Sequence, residues 1–195
     1  MYGYVYIARA FKNLKQSGCV AEGELDNDPH IWKKPYTWGI CRPDMRKVVQ
    51  KGDYVFFVLG KESNLHQMIF AYILVDEIIT HEEAFHRRSL RRKRMTGKKN
   101  TEGNIIVNAD GSYNKNDKGR HFSKFEKIKN EYVIANMKCS RVLNPAYIKS
   151  KSPDFMNILR TIFGKNGVIP NDIISTKGKW RMSEGQVNQL LKWLN

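Results

Sequence analysis

Acidic residues are scarce in this chain: 19 aspartates and glutamates stand against 34 lysines and arginines over 195 residues, a formal net charge of +15. Net charge speaks to partners and not to fold, so the imbalance directs attention to polyanions. Long hydrophobic runs are missing as well. The longest uncharged apolar stretch, Met68 to Val75, has eight residues, against the ~20 that a helix needs to span a bilayer, so no membrane partner is expected. The opening MYGYVYIARA alternates as a strand and has neither the basic start nor the long apolar centre of a secretory signal. Cysteine is rare and odd in number. Cys19, Cys41 and Cys139 lie far apart, which is neither a disulfide framework nor a C-x-x-C metal pattern, and the expectation is free thiols in a reducing, cytoplasmic setting. There is no P-loop, no G-x-G-x-x-G and no G-x-S-x-G, so no cofactor is expected. His81 and His86 are five apart, not the four that a zinc-binding H-E-x-x-H helix requires, and no metal is expected either.

What is present is basic and local. Arg87, Arg88, Arg91, Arg92, Lys93, Arg94, Lys98 and Lys99 lie together with no acidic residue among them and supply 8 of the 15 net charges. Like charges at this density repel one another unless an anion is present, so the cluster reads as a phosphate-binding arm, the alternative being a solvated helix face. Phosphate contacts position a nucleic acid without specifying its sequence. Selectivity has to come from elsewhere.

The segment Thr37 to Gly60, TWGICRPDMRKVVQKGDYVFFVLG, reads as a short strand, a basic helix over 43–51 opened by Pro43, a Gly52-Asp53 turn and a buried strand over Tyr54–Leu59. Arg42 and Arg46 suit a phosphate or a guanine edge, because a guanidinium offers two parallel donors, although solvated helix-face charges would look the same. Trp32, Tyr36 and Trp38 either stack on a base or plug one end of a barrel. Cys41 is either a nucleophile, which would need one of His30, His66, His81, His86 and His121 as its base, or a small buried hydrophobe. Asp53, after a turn glycine, is expected to orient the turn.

The pattern Trp38-x-x-Cys41-Arg42-Pro43-x-x-Arg46 followed by Gly52-Asp53-Tyr54-Val55 resembles the nucleotide-modification-associated domains, relatives of the PUA-like superfamily that includes the EVE and YTH modified-base readers. Tyr2–Ala10, Gly103–Tyr113 and Tyr132–Leu143 agree more loosely, so the resemblance spans roughly residues 1–145. It implies nucleotide or nucleic-acid chemistry without fixing a reaction. From the residues themselves, a base-binding site is expected around Trp38, Cys41, Arg42 and Arg46, with Trp32 and Tyr36 beside it.

The remaining pattern is mixed. Ile69–Ile79 reads as a central strand, 81–94 as a helix held only by Ala84, Phe85 and Leu90, and 96–121 as an insertion without periodicity outside Asn104–Asn108. Helices are predicted over 152–164 and, from the Ser183/Gln186 capping box, over 183–194. The expected fold class is α+β: a PUA-like curved, mostly antiparallel sheet or open barrel with peripheral helices, as a single domain over 1–195 with a basic helix and insertion at about 81–121 and a helical part over 152–195. Three functions compete. They are a reader of nucleic acid, DNA or RNA, or of modified nucleotides; an enzyme of base modification or a nuclease; and a non-catalytic phage- or ribosome-associated docking protein.

Overall fold

Apolar, β-branched and aromatic runs form strands because their side chains pack on a pleated, half-buried surface. In a computed structural model, which describes residues 1–8, 28–31, 33–60, 67–97, 103–174 and 181–195, these are β1 (Gly3–Ala8), β2 (Thr37–Trp38), β3 (Tyr54–Leu59), β4 (Ile69–Ile79), β5 (Tyr132–Ala135), β6 (Arg141–Val142) and β7 (Arg181–Met182). They hydrogen-bond in the order β2-β5-β4-β3-β1-β7, with β6 also on β4, and every pairing except β1–β3 is antiparallel. The order is open at β2 and β7. Helices α1 (Pro43–Arg46), α2 (His81–His86), α3 (Phe125–Ile128), α4 (Pro145–Lys151), α5 (Phe155–Phe163), α6 (Pro170–Ile173) and α7 (Glu184–Leu194) complete an α+β fold. None of the helices described is long and apolar enough to cross a membrane.

The chain divides into two units, one of residues 1–21, 52–74 and 139–195, the other of 22–51 and 75–138. In the first, β1 and β3 run parallel from Gly3↔Tyr54 to Ala8↔Leu59. A parallel pair needs a crossover of a dozen residues or more, and residues 9–53 supply it. The turn before β3 is set by Gly52, at φ +89°, and by Asp53, whose carboxylate accepts the Tyr2 N–H at 2.8 Å. Val55, Phe56, Phe57 and Val58 are fully buried on β3, as are Ile69, Phe70, Ala71 and Ile73 on β4. Phe155, Leu159 and Ile162 of α5 and Val187, Leu190 and Leu194 of α7 point into this core. The capping box at the start of α7 forms as expected, Ser183 and Gln186 satisfying each other's backbone N–H groups.

In the second unit, the end of β4 pairs with β5 and β5 with β2. The predicted helix over 43–51 is only α1, four residues long. Arg42 before it sits in the left-handed region, Met45 and Val49 are buried, and Val48 is 49 % exposed. The predicted helix over 81–94 is broken at Arg87, whose ψ of 123° is extended, into α2 and a 3₁₀ helix over Arg88–Lys93. A capping box at Thr80 and Glu83 opens α2, and two polar anchors, His81 and Lys93, join Ala84 and Leu90 in being buried. The middle of the insertion is core: Asn104, Ile105, Ile106 and Val107 are all buried. Gly103 lets this segment run against the 3₁₀ helix, since a Cβ there would lie 1.8 Å from the Lys93 carbonyl oxygen.

Candidate nucleic-acid interface

The signature segment is held from behind by a buried polar frame. Asp28 Oδ1 accepts the Gly39 N–H at 2.6 Å and the Asn104 amide at 2.8 Å, and its Oδ2 accepts the Cys41 N–H at 2.5 Å. Burial pushes this carboxyl above its ordinary range, while Arg46 and the three donors oppose the rise. Asn104 in turn accepts from the Tyr132 hydroxyl at 2.7 Å and from Thr37 at 3.1 Å. Burial raises the Tyr132 phenol above its ordinary range, so it stays a donor. His81 closes the frame. Its Nε2 lies 2.8 Å from the Gly39 carbonyl and its Nδ1 accepts the Ile106 N–H at 3.3 Å, which requires the neutral Nε2–H tautomer. Burial and then Arg46 lower its pKa to about 3, consistent with that tautomer.

Arg46 is a structural surprise: the expected helix-face cation is fully buried. Its Nε and Nη2 donate to the Cys41 and Ile40 carbonyls at 3.2 and 3.1 Å, fastening the segment that precedes α1, while Nη1 has no hydrogen-bond partner among the described residues. Trp38 is also fully buried, on β2. Tyr36, Cys41 and Arg42 are half-buried, and Arg42 grips Asp44 through Nε at 3.0 Å and Nη2 at 2.9 Å. Trp32 lies outside the described residues.

The basic arm sorts into distinct roles. Lys93, 1 % exposed, donates to His30 Nδ1 and to the Lys33 carbonyl, both at 2.5 Å, and to the His30 carbonyl at 3.2 Å. Burial and Lys33 bring its pKa down to about 7, and burial with Lys93 takes His30 to about 3. The pair ties the 3₁₀ helix to the chain just ahead of Tyr36. Arg87 is committed to Glu77 at 2.8 Å. Arg94 donates twice to the Phe85 carbonyl and stacks over that ring at 4.1 Å. Lys98 and Lys99 lie outside the described residues. Arg88, Arg91 and Arg92 remain exposed, and none of their side chains makes an ion pair or hydrogen bond among the described residues. In a 3₁₀ helix positions three apart eclipse, so Arg88 and Arg91 share a face and Arg92 adjoins it.

Residues 20–195 match the family of nucleotide modification associated domain 2. The chain belongs to that family. No curated protein and no solved structure matches it. Membership connects the chain to nucleotide modification; the wider PUA-like relationship rests on the sequence resemblance alone.

This nucleotide modification associated domain holds a further cluster that sequence reasoning missed. Asp117, fully buried, accepts the His121 backbone N–H at 2.9 Å, His121 Nδ1 at 2.9 Å and the Tyr113 hydroxyl. Burial works to raise its carboxyl, but these hydrogen bonds outweigh it and hold the group below the usual carboxylate range. Tyr113 is pushed up to about 12 by burial and by that bond. With Nδ1 engaged, His121 presents Nε2, which has no hydrogen-bond partner among the described residues. An Asp–His pair with the far nitrogen available can hold or move a proton. The only sequence signal was the four-residue spacing of Asp117 and His121. Asp28, Asn104 and Tyr132 gave none, because 76 and 28 residues separate the partners.

Proposed function

We propose that this nucleotide modification associated domain is a non-catalytic reader that binds nucleic acid through Arg88, Arg91 and Arg92 and inspects one nucleotide beside the signature segment. The observation that carries the proposal is the three adjacent, exposed guanidiniums without a carboxylate partner among the described residues. Uncompensated arginines on one short helix are unfavourable by themselves and become favourable when they neutralise phosphates and release the counterions condensed there. Lys93 links this helix to His30 and Lys33, so the phosphate grip and the signature belong to one structural piece. In this reading Tyr36, Cys41 and Arg42 face the nucleotide, while the buried Trp38 and Arg46 support them. Trp32, Lys98 and Lys99 extend the two sets.

Binding of single- and double-stranded oligonucleotides, with and without modified bases, tests the proposal when followed by fluorescence anisotropy. Salt-sensitive binding with discrimination among bases is expected, and Arg42→Ala should reduce that discrimination while leaving bulk attraction intact. A second reading, an enzyme of base modification or a nuclease, is favoured by one observation, the Asp117–His121 pair. Mass spectrometry of nucleotides and oligonucleotides after incubation, with and without divalent metal, separates the two. Unchanged material supports the reader. Products that vanish in His121→Asn or Cys41→Ala establish the enzyme, and salt-sensitive binding with neither products nor base discrimination leaves a docking protein.

A further inference from the structure

Phe122 is 66 % exposed, the most exposed aromatic ring among the described residues. Single exposed hydrophobics are ordinary on protein surfaces, but this one is held in place. The Tyr113 ring meets Phe122 edge-on at 5.2 Å and 67°, and meets Phe125 at 5.2 Å and 73°. The Tyr113 hydroxyl is anchored on Asp117, which also anchors His121, the residue next to Phe122. The supporting turn is itself tied down, since Asn114 donates to the Met95 carbonyl at 3.1 Å and Phe122 N–H bonds the Gly119 carbonyl at 3.3 Å. Around the ring in sequence, Lys118, Lys124 and Lys127 are exposed, as is Arg120, which pairs with Asp117 at 3.6 Å, and Glu126 is the single acid between 118 and 127.

A rigid aromatic face among cations, beside an imidazole nitrogen with no partner among the described residues, matches the chemistry of an unpaired nucleotide. The ring stacks on the base, the cations neutralise the flanking phosphates, and His121 Nε2 reaches a phosphate or base edge. A duplex offers no such face, because each base is covered by its neighbours. We propose that Phe122 and His121 form a stacking site for one unpaired base of a single-stranded nucleic acid. The inference rests on the nucleic-acid reading above and adds the strand form and the contact residues.

The test uses the full chain with an oligothymidylate carrying one central 2-aminopurine, whose fluorescence is quenched on stacking, and the same oligonucleotide with an abasic residue there. The wild type should quench the probe and bind the abasic strand more weakly. Phe122→Leu, which keeps an apolar side chain at an exposed position, should lose the quenching and about 5- to 150-fold of affinity for the base-bearing strand; Phe122→Trp should retain both. Salt-sensitive binding in which base-bearing and abasic strands, or wild type and Phe122→Leu, are indistinguishable would overturn the stacking site and leave the arginine interface standing. So would tighter binding to duplex than to single strand with no effect of Phe122→Leu. Absence of binding to any oligonucleotide at low salt would overturn both.

Discussion

Replacing Arg88, Arg91 and Arg92 together by alanine tests the interface on the residues that the structure leaves available. Each is exposed and its side chain makes no ion pair or hydrogen bond among the described residues, so the substitution removes three charges and no packing, and the melting temperature should stay within about 2 °C of wild type, as for surface changes generally. If each guanidinium neutralises one phosphate, the slope of log K against log salt becomes shallower by about 2.1 for a single strand and about 2.7 for a duplex. Between 50 and 200 mM salt, the wild type then loses roughly 20- to 40-fold more affinity than the variant. Fluorescence anisotropy titrations at four salt concentrations measure both slopes. An unchanged slope in a folded variant refutes the interface, whatever happens to affinity at one salt concentration. Extending the substitution to Lys93 or Arg94 would confuse the result, since the buried Lys93 donates to three acceptors and Arg94 holds the Phe85 carbonyl.

Asp28→Ala should lower unfolding free energy by about 3 kcal/mol or more, because it strands three donors that each cost about 1–3 kcal/mol when buried unpaired; a loss under about 1 kcal/mol in urea unfolding would show that the frame is not what holds the signature segment. Acid should destabilise the fold: His81 has its pKa lowered to about 3 against about 6.5 unfolded, so protons favour the unfolded chain, stability present at pH 7 falls between these values, and about 2 kcal/mol is lost by pH 5 from this group. Urea midpoints that do not change from pH 7 to pH 5 would contradict a buried neutral imidazole. Cys41 and Cys139 are free thiols, so both should react with a thiol reagent in the unfolded chain without prior reduction, and reductant should leave the melting temperature unaltered.

What the sequence makes legible here is what depends on near neighbours. The β4 run, the Gly52-Asp53 turn, the Ser183/Gln186 box and the left-handed stop at Gly164 (φ +60°) all rest on contacts or dihedrals within a few residues. The T-x-x-E box at Thr80 was equally local and was overlooked. The candidate site is of another kind. Trp32, Lys98 and Lys99 lie outside the described residues, as does Cys19, which is no part of the site, and the rest of the site is assembled across the chain: Lys93 meets residue 30 from 63 positions away, and His81 meets Gly39 from 42. No periodicity encodes such pairs. Charge shows the difference most clearly, because a lysine or arginine reads the same in sequence whether it faces water, a carboxylate or a buried carbonyl. Within Arg87–Arg94, Arg87 is neutralised by Glu77, while Lys93 and Arg94 are spent on backbone and ring contacts. Only Arg88, Arg91 and Arg92 keep their full field toward solvent. If the proposed interface is right, affinity for a polyanion should depend on those three and scale with the local pattern, and be insensitive to the +15 of the whole chain.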